Sequence, residues 1–136
     1  MNFTGSYRSL TFGNGAGTGF HCGGVDGLWD LPEVRTDDLP KAVGVGSFPG
    51  TSRLGARRVV LTLHLIAATP AAYDALVVTL IAQTADVNTL NTLSLMGNTK
   101  TVQARPARRT IPVRTGEYQR TGTAVIEFSC PNPTVT

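Results

Sequence analysis

The sequence predicts a mainly β fold, either a β-sandwich or a split barrel, with one helix lying across the sheet. Fifteen glycines and eight prolines among 136 residues favour many turns and short strands over a helical bundle. Apolar residues alternate with a period of two in several segments, whereas one segment has the period of an α-helix. The length corresponds to a single domain, residues 1–136, which is long enough for a hydrophobic core of its own.

A strand followed by a helix is the clearest unit of this fold. In the segment VVLTLHLIA, the residues at 59, 61, 63 and 65 are all valine or leucine, so one strand face is wholly apolar. Thr69 and Pro70 then provide an N-cap and a first-turn proline. The sequence therefore predicts a helix over about 70–84. Its apolar stripe consists of Tyr73, Leu76, Val77, Leu80 and Ile81.

Further strands are predicted on both sides of this unit. After the helix, Leu93 and Leu95 return to a period of two, and a Gly-Asn turn leads into a strand over residues 99–105. The last strand, TAVIEFSC, has an apolar face that ends at Cys130. Weaker strand candidates are residues 7–12 and 39–45. The proline- and arginine-rich segment between the last two strands is predicted as a long loop or irregular edge.

The glycine-rich segment GNGAGTGFHCGG raises two chemical hypotheses, a phosphate-binding loop and a cysteine nucleophile. A Walker loop needs Lys and Ser or Thr after its last glycine, where this chain has Phe20 and His21. The alternating glycines do not start a stable helix, so residues 13–27 are predicted as a glycine-rich arm or loop. Adjacent residues of an extended chain point to opposite faces, so His21 does not pair with Cys22. Nothing in the sequence brings His64 to that thiol either.

The cysteines and the apolar runs narrow the functional classes further. Cys22 and Cys130 lie far apart, form no metal-binding pair and are predicted to be free thiols. The apolar run over residues 75–82 is interrupted by Thr79 and is far too short to cross a bilayer. The first ten residues lack the apolar segment of a signal peptide. We therefore expect no catalytic residue, no cofactor, no metal ion and no membrane partner.

Charge is concentrated in two segments of opposite sign. Residues 21–40 hold five carboxylates against one arginine, a local balance of −4, and residues 100–120 hold six basic side chains against one glutamate, a balance of +5. Ten of the twelve basic residues are arginines, which suit bidentate ion pairs. We expect the two segments to meet within the chain or across copies. A small nucleic-acid-binding domain using an Arg105–Arg120 loop is the alternative, disfavoured by its single aromatic residue, Tyr118.

The order of these segments resembles the N-terminal domain of siphophage distal tail proteins. The matching stretches are YRSLTFGNGAGTGFHCGGVDGLWDLPEVRTDDLP, GARRVVLTLHL, TPAAYDAL, VQARPARRTIPV and TAVIEFSCPNP, which cover almost the whole chain. The resemblance implies a split barrel or sandwich related to the tail-tube fold, with no enzymatic activity. Family members usually continue into a second, often carbohydrate-binding-like domain, whereas this sequence ends at Thr136. We therefore expect either a piece of a longer protein or a short family member whose only role is to form the ring described below.

The resemblance also implies an assembly and a place in the virion. A hexameric ring, made in the host cytoplasm, is expected at the tail tip, between the tail-tube protein and the hub or adhesion proteins. Its opening would pass the tape-measure protein and DNA, the latter only as passing cargo. A tail-tube subunit of the same fold is the alternative within this class. Head-to-tail contacts between copies are expected to use the residues Trp29, Asp37, Asp38, Arg105, Arg108, Arg109 and Arg114.

Trp29 and Leu31 are apolar residues within the acidic segment, which leaves two roles open for them. They are either anchors at a subunit contact or part of the core.

Overall fold

The computed structural model describes residues 4–13, 19–32, 34–36, 39–48 and 52–136, and its main element is one antiparallel sheet of seven strands. The elements in chain order are β1 (Gly5–Tyr7), β2 (Leu10–Phe12), β3 (Gly19–Asp26), β4 (Val34–Thr36), β5 (Leu39–Pro40), β6 (Ser47–Phe48), β7 (Ser52–Leu54), β8 (Arg57–Ile66), α1 (Pro70–Gln83), β9 (Asn91–Leu95), β10 (Lys100–Thr110) and β11 (Thr121–Cys130). The strand order in the large sheet is β2-β1-β9-β10-β11-β8-β3. The predicted mainly β fold with one helix is confirmed.

The sheet closes on itself as a split barrel. Residues 100–104 of β10 pair with β9, whereas the part of β10 from Arg105 onward pairs with β11, so this strand joins the two halves of the sheet. The edge strands β2 and β3 meet at Gly13. The N–H of Gly13 donates to the Phe20 carbonyl over 3.1 Å, and its carbonyl accepts from the Cys22 N–H over 2.7 Å. These two bonds connect the first edge of the sheet to the last.

The barrel interior is filled from the strands that the sequence marks most strongly. The apolar faces predicted for β8 and β11 are fully buried, with Phe128 at the centre of the second. The ring of Phe128 lies 4.8 Å from that of Tyr7, centroid to centroid, at a tilt of 55°. Full burial of each such side chain contributes about 1.5–3 kcal/mol. These residues are therefore the main source of the stability of the barrel.

Helix α1 begins at Pro70, as predicted, and ends at Gln83, one residue before the predicted end. The Thr69 hydroxyl accepts a hydrogen bond from the Ala72 N–H over 3.1 Å, which satisfies one of the free amides of the first turn. Three residues of the predicted stripe, Tyr73, Val77 and Leu80, are buried against the barrel. The Tyr73 hydroxyl also donates to the Pro112 carbonyl and so holds the segment that follows β10. The helix prediction is confirmed.

The glycine-rich segment needs a correction, because much of it is a barrel strand. Residues 19–26 form β3, which pairs along β8, while residues 14–18 lie outside the described residues. The register shifts between Cys22 and Gly24, so Gly23 is the extra residue of a β-bulge. A Cβ on Gly23 would overlap the imidazole of His64, so any other residue at position 23 requires that exposed ring to move. The interpretation of residues 19–26 as an arm or loop is wrong.

The proline- and arginine-rich segment also begins as a strand rather than as a loop. Strand β10 continues through Pro106 to Thr110, and its register with β11 shifts between Pro106 and Arg108. A β-bulge accommodates proline, which has no N–H for the ladder. The predicted Arg105–Arg120 loop is therefore correct only beyond residue 110. This places Arg105, Arg108 and Arg109 on a rigid sheet.

The two weaker strand candidates are only partly present. Residues 7–12 are not one strand, because a turn at Arg8 and Ser9 divides them between β1 and β2. Arg8 has a φ of 55°, which this tight hairpin requires. Of residues 39–45, only the first two form a strand, β5.

The sequence between β3 and β8 contains two strand pairs, one nested within the other along the chain. Strand β4 pairs with β7, β5 pairs with β6, and both pairs are antiparallel. We call this segment, residues 34–54, the hairpin arm, and its end, residues 41–46, the arm tip. All six residues of the arm tip are exposed, and the Lys41 N–H donates to the Gly46 carbonyl over 3.2 Å.

Candidate functional site

The root of the hairpin arm is fixed to the barrel by Arg57. The Nη1 atom of Arg57 lies 3.0 Å from the carbonyl oxygen of Gly27, 2.8 Å from that of Leu28 and 2.6 Å from that of Asp30. Its Nε donates to the carbonyl of Pro133 over 3.0 Å. One guanidinium therefore holds the segment that leads into the arm, residues 27–30, and the C-terminal segment against β8. Sequence reasoning missed this role, since the acceptors are backbone atoms that carry no signal in the sequence.

Beside this root, two apolar side chains of the acidic segment face solvent. Trp29 is 64% exposed and Leu31 is 75% exposed. The Lys100 ammonium lies 5.9 Å from the centroid of the Trp29 ring, within cation–π distance. The core alternative for both residues is wrong, and their role at a subunit contact stays a prediction. The acidic candidates Asp37 and Asp38 lie outside the described residues.

The arm tip is the second exposed apolar surface. Val43 is 90% exposed and Val45 is 95% exposed, so both isopropyl groups are almost fully hydrated. Gly44 lies between them with a φ of 98°, and Gly46 follows with a φ of 93°. These values lie in the region that glycine adopts without strain, so the turn depends on glycine there.

Two of the candidate arginines are used within the chain. Nη1 of Arg109 donates to the Ile81 carbonyl over 3.1 Å and to the Thr84 hydroxyl over 2.7 Å, so it caps the C-terminal end of α1. Arg114 contacts both carboxylate oxygens of Asp74, with Nε 3.3 Å from Oδ1 and Nη2 3.1 Å from Oδ2. These contacts fix the segment after β10 against the helix.

The other two arginines of β10 are not engaged in this way. Among the described residues, the side chains of Arg105 and Arg108 make no hydrogen bond or ion pair, although both residues pair with β11 through the backbone. Arg108 is exposed and stands opposite Glu127 in the β10–β11 ladder, but the Glu127 carboxylate pairs with Arg58. Arg108 is therefore a charge on a rigid sheet that remains available to another molecule.

The geometry around Cys22 does not suit a cysteine nucleophile. Cys22 lies opposite Leu63 in the ladder and is buried, whereas His64 lies on the outer face, where its Nδ1 is 3.1 Å from the Thr123 hydroxyl oxygen. Burial raises the pKa of the Cys22 thiol and raises that of Cys130 to about 11. Because the thiolate is the reactive form, burial disfavours nucleophilic chemistry at both groups.

The described residues form neither a metal site with three or more protein ligands nor a membrane-spanning helix. Within the part of the chain that the structure describes, no three His, Cys, Asp or Glu side chains come together as such a site would require. No helix among the described residues is both long and apolar enough to span a bilayer.

Comparison with known proteins identifies the fold. No protein-family model and no curated sequence matches the chain. The crystal structure of the SPP1 Dit protein (gp 19.1), described as a paradigm of the hub adsorption apparatus in phages that infect Gram-positive bacteria, has a similar fold, with a TM-score of 0.65 at 16% sequence identity. The similarity covers 85% of this chain and 46% of that chain, so this chain spans about half of its length. The resemblance to distal tail proteins is confirmed at the level of the fold.

Proposed function

We propose that this protein is a structural component of a phage tail, without catalytic activity, that forms a ring at the tail tip. The observation that carries the proposal is the split-barrel fold shared with the SPP1 Dit protein over 85% of the chain. In this proposal the ring, a hexamer, connects the tail tube to hub or adhesion proteins. The tape-measure protein and DNA pass through its opening.

The distribution of surface chemistry supports a ring. A ring requires two different patches on each copy, one meeting the other on the neighbour. Around the hairpin arm the chain exposes apolar groups, Trp29, Val43 and Val45, whereas β10 presents the exposed charge of Arg108, whose side chain has no partner among the described residues. Two dissimilar surfaces on one chain suit head-to-tail contacts better than a two-fold dimer.

A nucleic-acid-binding role has less support from the geometry. Arg109 and Arg114 bind the ends of α1, so they are not arranged along a groove that could follow a phosphate backbone. A basic groove for single strands also needs aromatic side chains on which bases stack, and Tyr118 is the only aromatic residue of the segment.

Electron microscopy of the purified protein tests the ring directly. We expect averaged top views that show a closed ring with a central opening and six-fold symmetry. The control is the Arg108→Glu variant, in which an exposed charge is reversed and the number of closed rings should fall. Isolated particles of monomer size, or open filaments at every concentration, would contradict the proposal.

A further inference from the structure

The two histidines of the chain stand directly opposite each other on the barrel. His21 lies in β3 and His64 in β8, and they are partners in the antiparallel ladder. Cys22 and Leu63, the next pair of this ladder, are buried inside the barrel, so both histidines face outward. The side chain of His64 is exposed and that of His21 is half-buried. The fold therefore brings both imidazoles of the chain to one place on the outer surface.

The separation of the two imidazoles suits one shared metal ion. Residues directly opposite each other in an antiparallel pair have Cβ atoms about 4.5–5.5 Å apart. Two imidazole nitrogens that bind one tetrahedral Zn²⁺ ion, each at about 2.0–2.1 Å, are roughly 3.4 Å from each other. Two histidine side chains that leave the same sheet face from paired positions can therefore converge on such an ion without a change in the backbone.

The ring of His64 has the second contact that a metal-binding imidazole needs. Its Nδ1 lies 3.1 Å from the hydroxyl oxygen of Thr123, which stands opposite His64 in β11. When Nδ1 donates to that oxygen, Nε2 carries no proton and is able to bind a metal ion. Histidine ligands in proteins commonly have such a partner on their other nitrogen, because it fixes the ring orientation.

The bulge of β3 leaves space beside this nitrogen. The Nε2 end of the His64 ring lies over Gly23, at the position that a Cβ would occupy. Gly23 is exposed and is the extra residue of the bulge, so no side chain at this position separates the ring from the backbone of β3. The imidazole of one strand thus reaches over the strand that carries His21.

The surroundings of the pair determine which ion it suits. The outward positions that flank it in the ladder carry no charge, neither a basic side chain that would repel a cation nor a carboxylate; they are Gly19, Thr62, Ile66, Thr121, Thr123 and Val125. Imidazole nitrogen suits zinc, whereas magnesium and calcium prefer oxygen ligands. The donor set therefore favours a transition-metal ion of the zinc type.

We propose that His21 and His64 bind one Zn²⁺ ion across the β3–β8 ladder, with Thr123 as the positioning residue for His64. Water completes the coordination of the ion. The ion joins the glycine-rich strand β3 to β8 and stabilises that edge of the barrel. The expectation of no metal ion came from the spacing of the cysteines, whereas the histidines meet only through strand pairing. This inference is independent of the proposed ring.

Zinc binding to the purified protein tests the site directly. Isothermal titration calorimetry with zinc chloride should give one ion per chain, and magnesium chloride should give no binding. His21→Ala and His64→Ala should each weaken zinc binding at least about tenfold, because one of two protein ligands is lost. The matched control is Thr62→Ala, a change at another outward position of β8, which should leave zinc affinity unchanged.

The outcomes of this titration separate a two-strand site from weaker alternatives. No zinc binding by the wild type, or wild-type affinity in either histidine variant, would overturn the site. A loss of affinity in His64→Ala alone would mean that a single imidazole binds zinc, which also contradicts a site shared by two strands. Circular dichroism checks that each variant is folded before it is titrated.

Two variants of Thr123 test the site while both histidines are kept. Thr123→Val removes the hydroxyl at nearly constant shape and should weaken zinc binding about tenfold. Thr123→Ser retains the hydroxyl and should recover most of that affinity. Equal zinc affinity in the two variants would show that the hydroxyl does not position the His64 ring.

Hydrogen exchange tests whether the ion joins the two strands. Zinc should slow the exchange of the β3 amides at least several-fold, because an ion bound to both strands opposes their separation. The amides of the arm tip should exchange at the same rate with and without zinc, and a chelator should restore the original rates in β3. Unchanged exchange of β3 in the zinc-bound protein would contradict an ion that bridges β3 and β8.

Discussion

Apolar residues are buried in the barrel, whereas those described in the hairpin arm are exposed. In the barrel, β8 and β11 each bury one apolar face completely, so the strand pattern is satisfied inside a single copy. The buried residues are valine and leucine in β8, and alanine, isoleucine, phenylalanine and cysteine in β11. In the arm, Val43 and Val45 are almost fully exposed at the tip, and Leu54 near the root is about half exposed.

This difference separates residues that specify the fold from residues that are available for assembly. Side chains inside the barrel obtain their free energy on folding, because their apolar surface leaves water at that step. The valines of the arm tip gain no such free energy within one copy, because they remain in contact with water. The same distinction holds for the arginines, since Arg109 completes a helix end while Arg108 has no described partner.

The strongest test of this contrast compares one truncation in each region. Phe128→Ala should lower the free energy of unfolding by about 3–5 kcal/mol, through lost burial and the cavity left beside Tyr7. Val43→Ala should change it by less than about 0.5 kcal/mol, as surface positions do. Urea unfolding followed by circular dichroism measures both at a protein concentration low enough to keep the protein monomeric. A cost at Val43 as large as at Phe128 would show that the arm tip belongs to the core.

Arg57 lies in β8 of the barrel and binds the segment that leads into the hairpin arm. Its removal should therefore loosen the arm more than the barrel. Arg57→Ala should lower the free energy of unfolding by about 2–3 kcal/mol, because several backbone carbonyls lose a charged donor. Limited proteolysis should then cut the hairpin arm at least several-fold faster, while the barrel remains protected. The control is Arg108→Ala, for which neither quantity should change. Unchanged cleavage in Arg57→Ala would mean that the root is held by other contacts.

A smaller effect is expected at the start of α1, on the barrel side of the comparison. Thr69→Ala should cost about 1 kcal/mol, because the Ala72 N–H loses its acceptor. Thr69→Ser retains the hydroxyl and should recover most of the loss. Thermal unfolding measures both variants. If serine is no better than alanine, the hydroxyl does not act as the cap.

The smallest effects on stability are expected from charge reversal at Arg108 and Arg109. These two variants are also the most informative about assembly. Arg108→Glu should change the free energy of unfolding by less than about 0.5 kcal/mol. Arg109→Glu should cost about 1 kcal/mol, because the end of α1 loses its donor. Analytical ultracentrifugation should show weaker self-association for both variants. If Arg108→Glu associates as tightly as the wild type, the charge of Arg108 does not contribute to the interface.

The sequence predicts the parts of the fold in which local signals agree. The helix begins at an N-cap and a proline and has one apolar stripe, so propensity and periodicity indicate the same segment. The alternation in β8 and β11 is equally regular. In contrast, β3 runs through a glycine-rich segment of low strand propensity, and its strand conformation depends on pairing with β8 along its whole length.

The candidate site depends more strongly on tertiary structure. Sequence charge identifies a basic segment but does not distinguish Arg109, which binds the end of α1, from Arg108, whose side chain contacts none of the residues that the structure describes. Nor does it reveal Arg57, whose acceptors are main-chain carbonyls. The bulge beside Pro106 depends on the pairing of β10 with β11, so no single segment encodes it.

The mass of the purified protein in solution, measured by native mass spectrometry across concentration and salt, tests the central claim most directly. A ring of this chain predicts a species at six times 14.4 kDa, reached through smaller assemblies as the concentration rises. Raising the salt concentration should weaken that assembly, because exposed charges contribute to the contacts. A monomer at every concentration and ionic strength would contradict the proposal that copies of this chain form a ring.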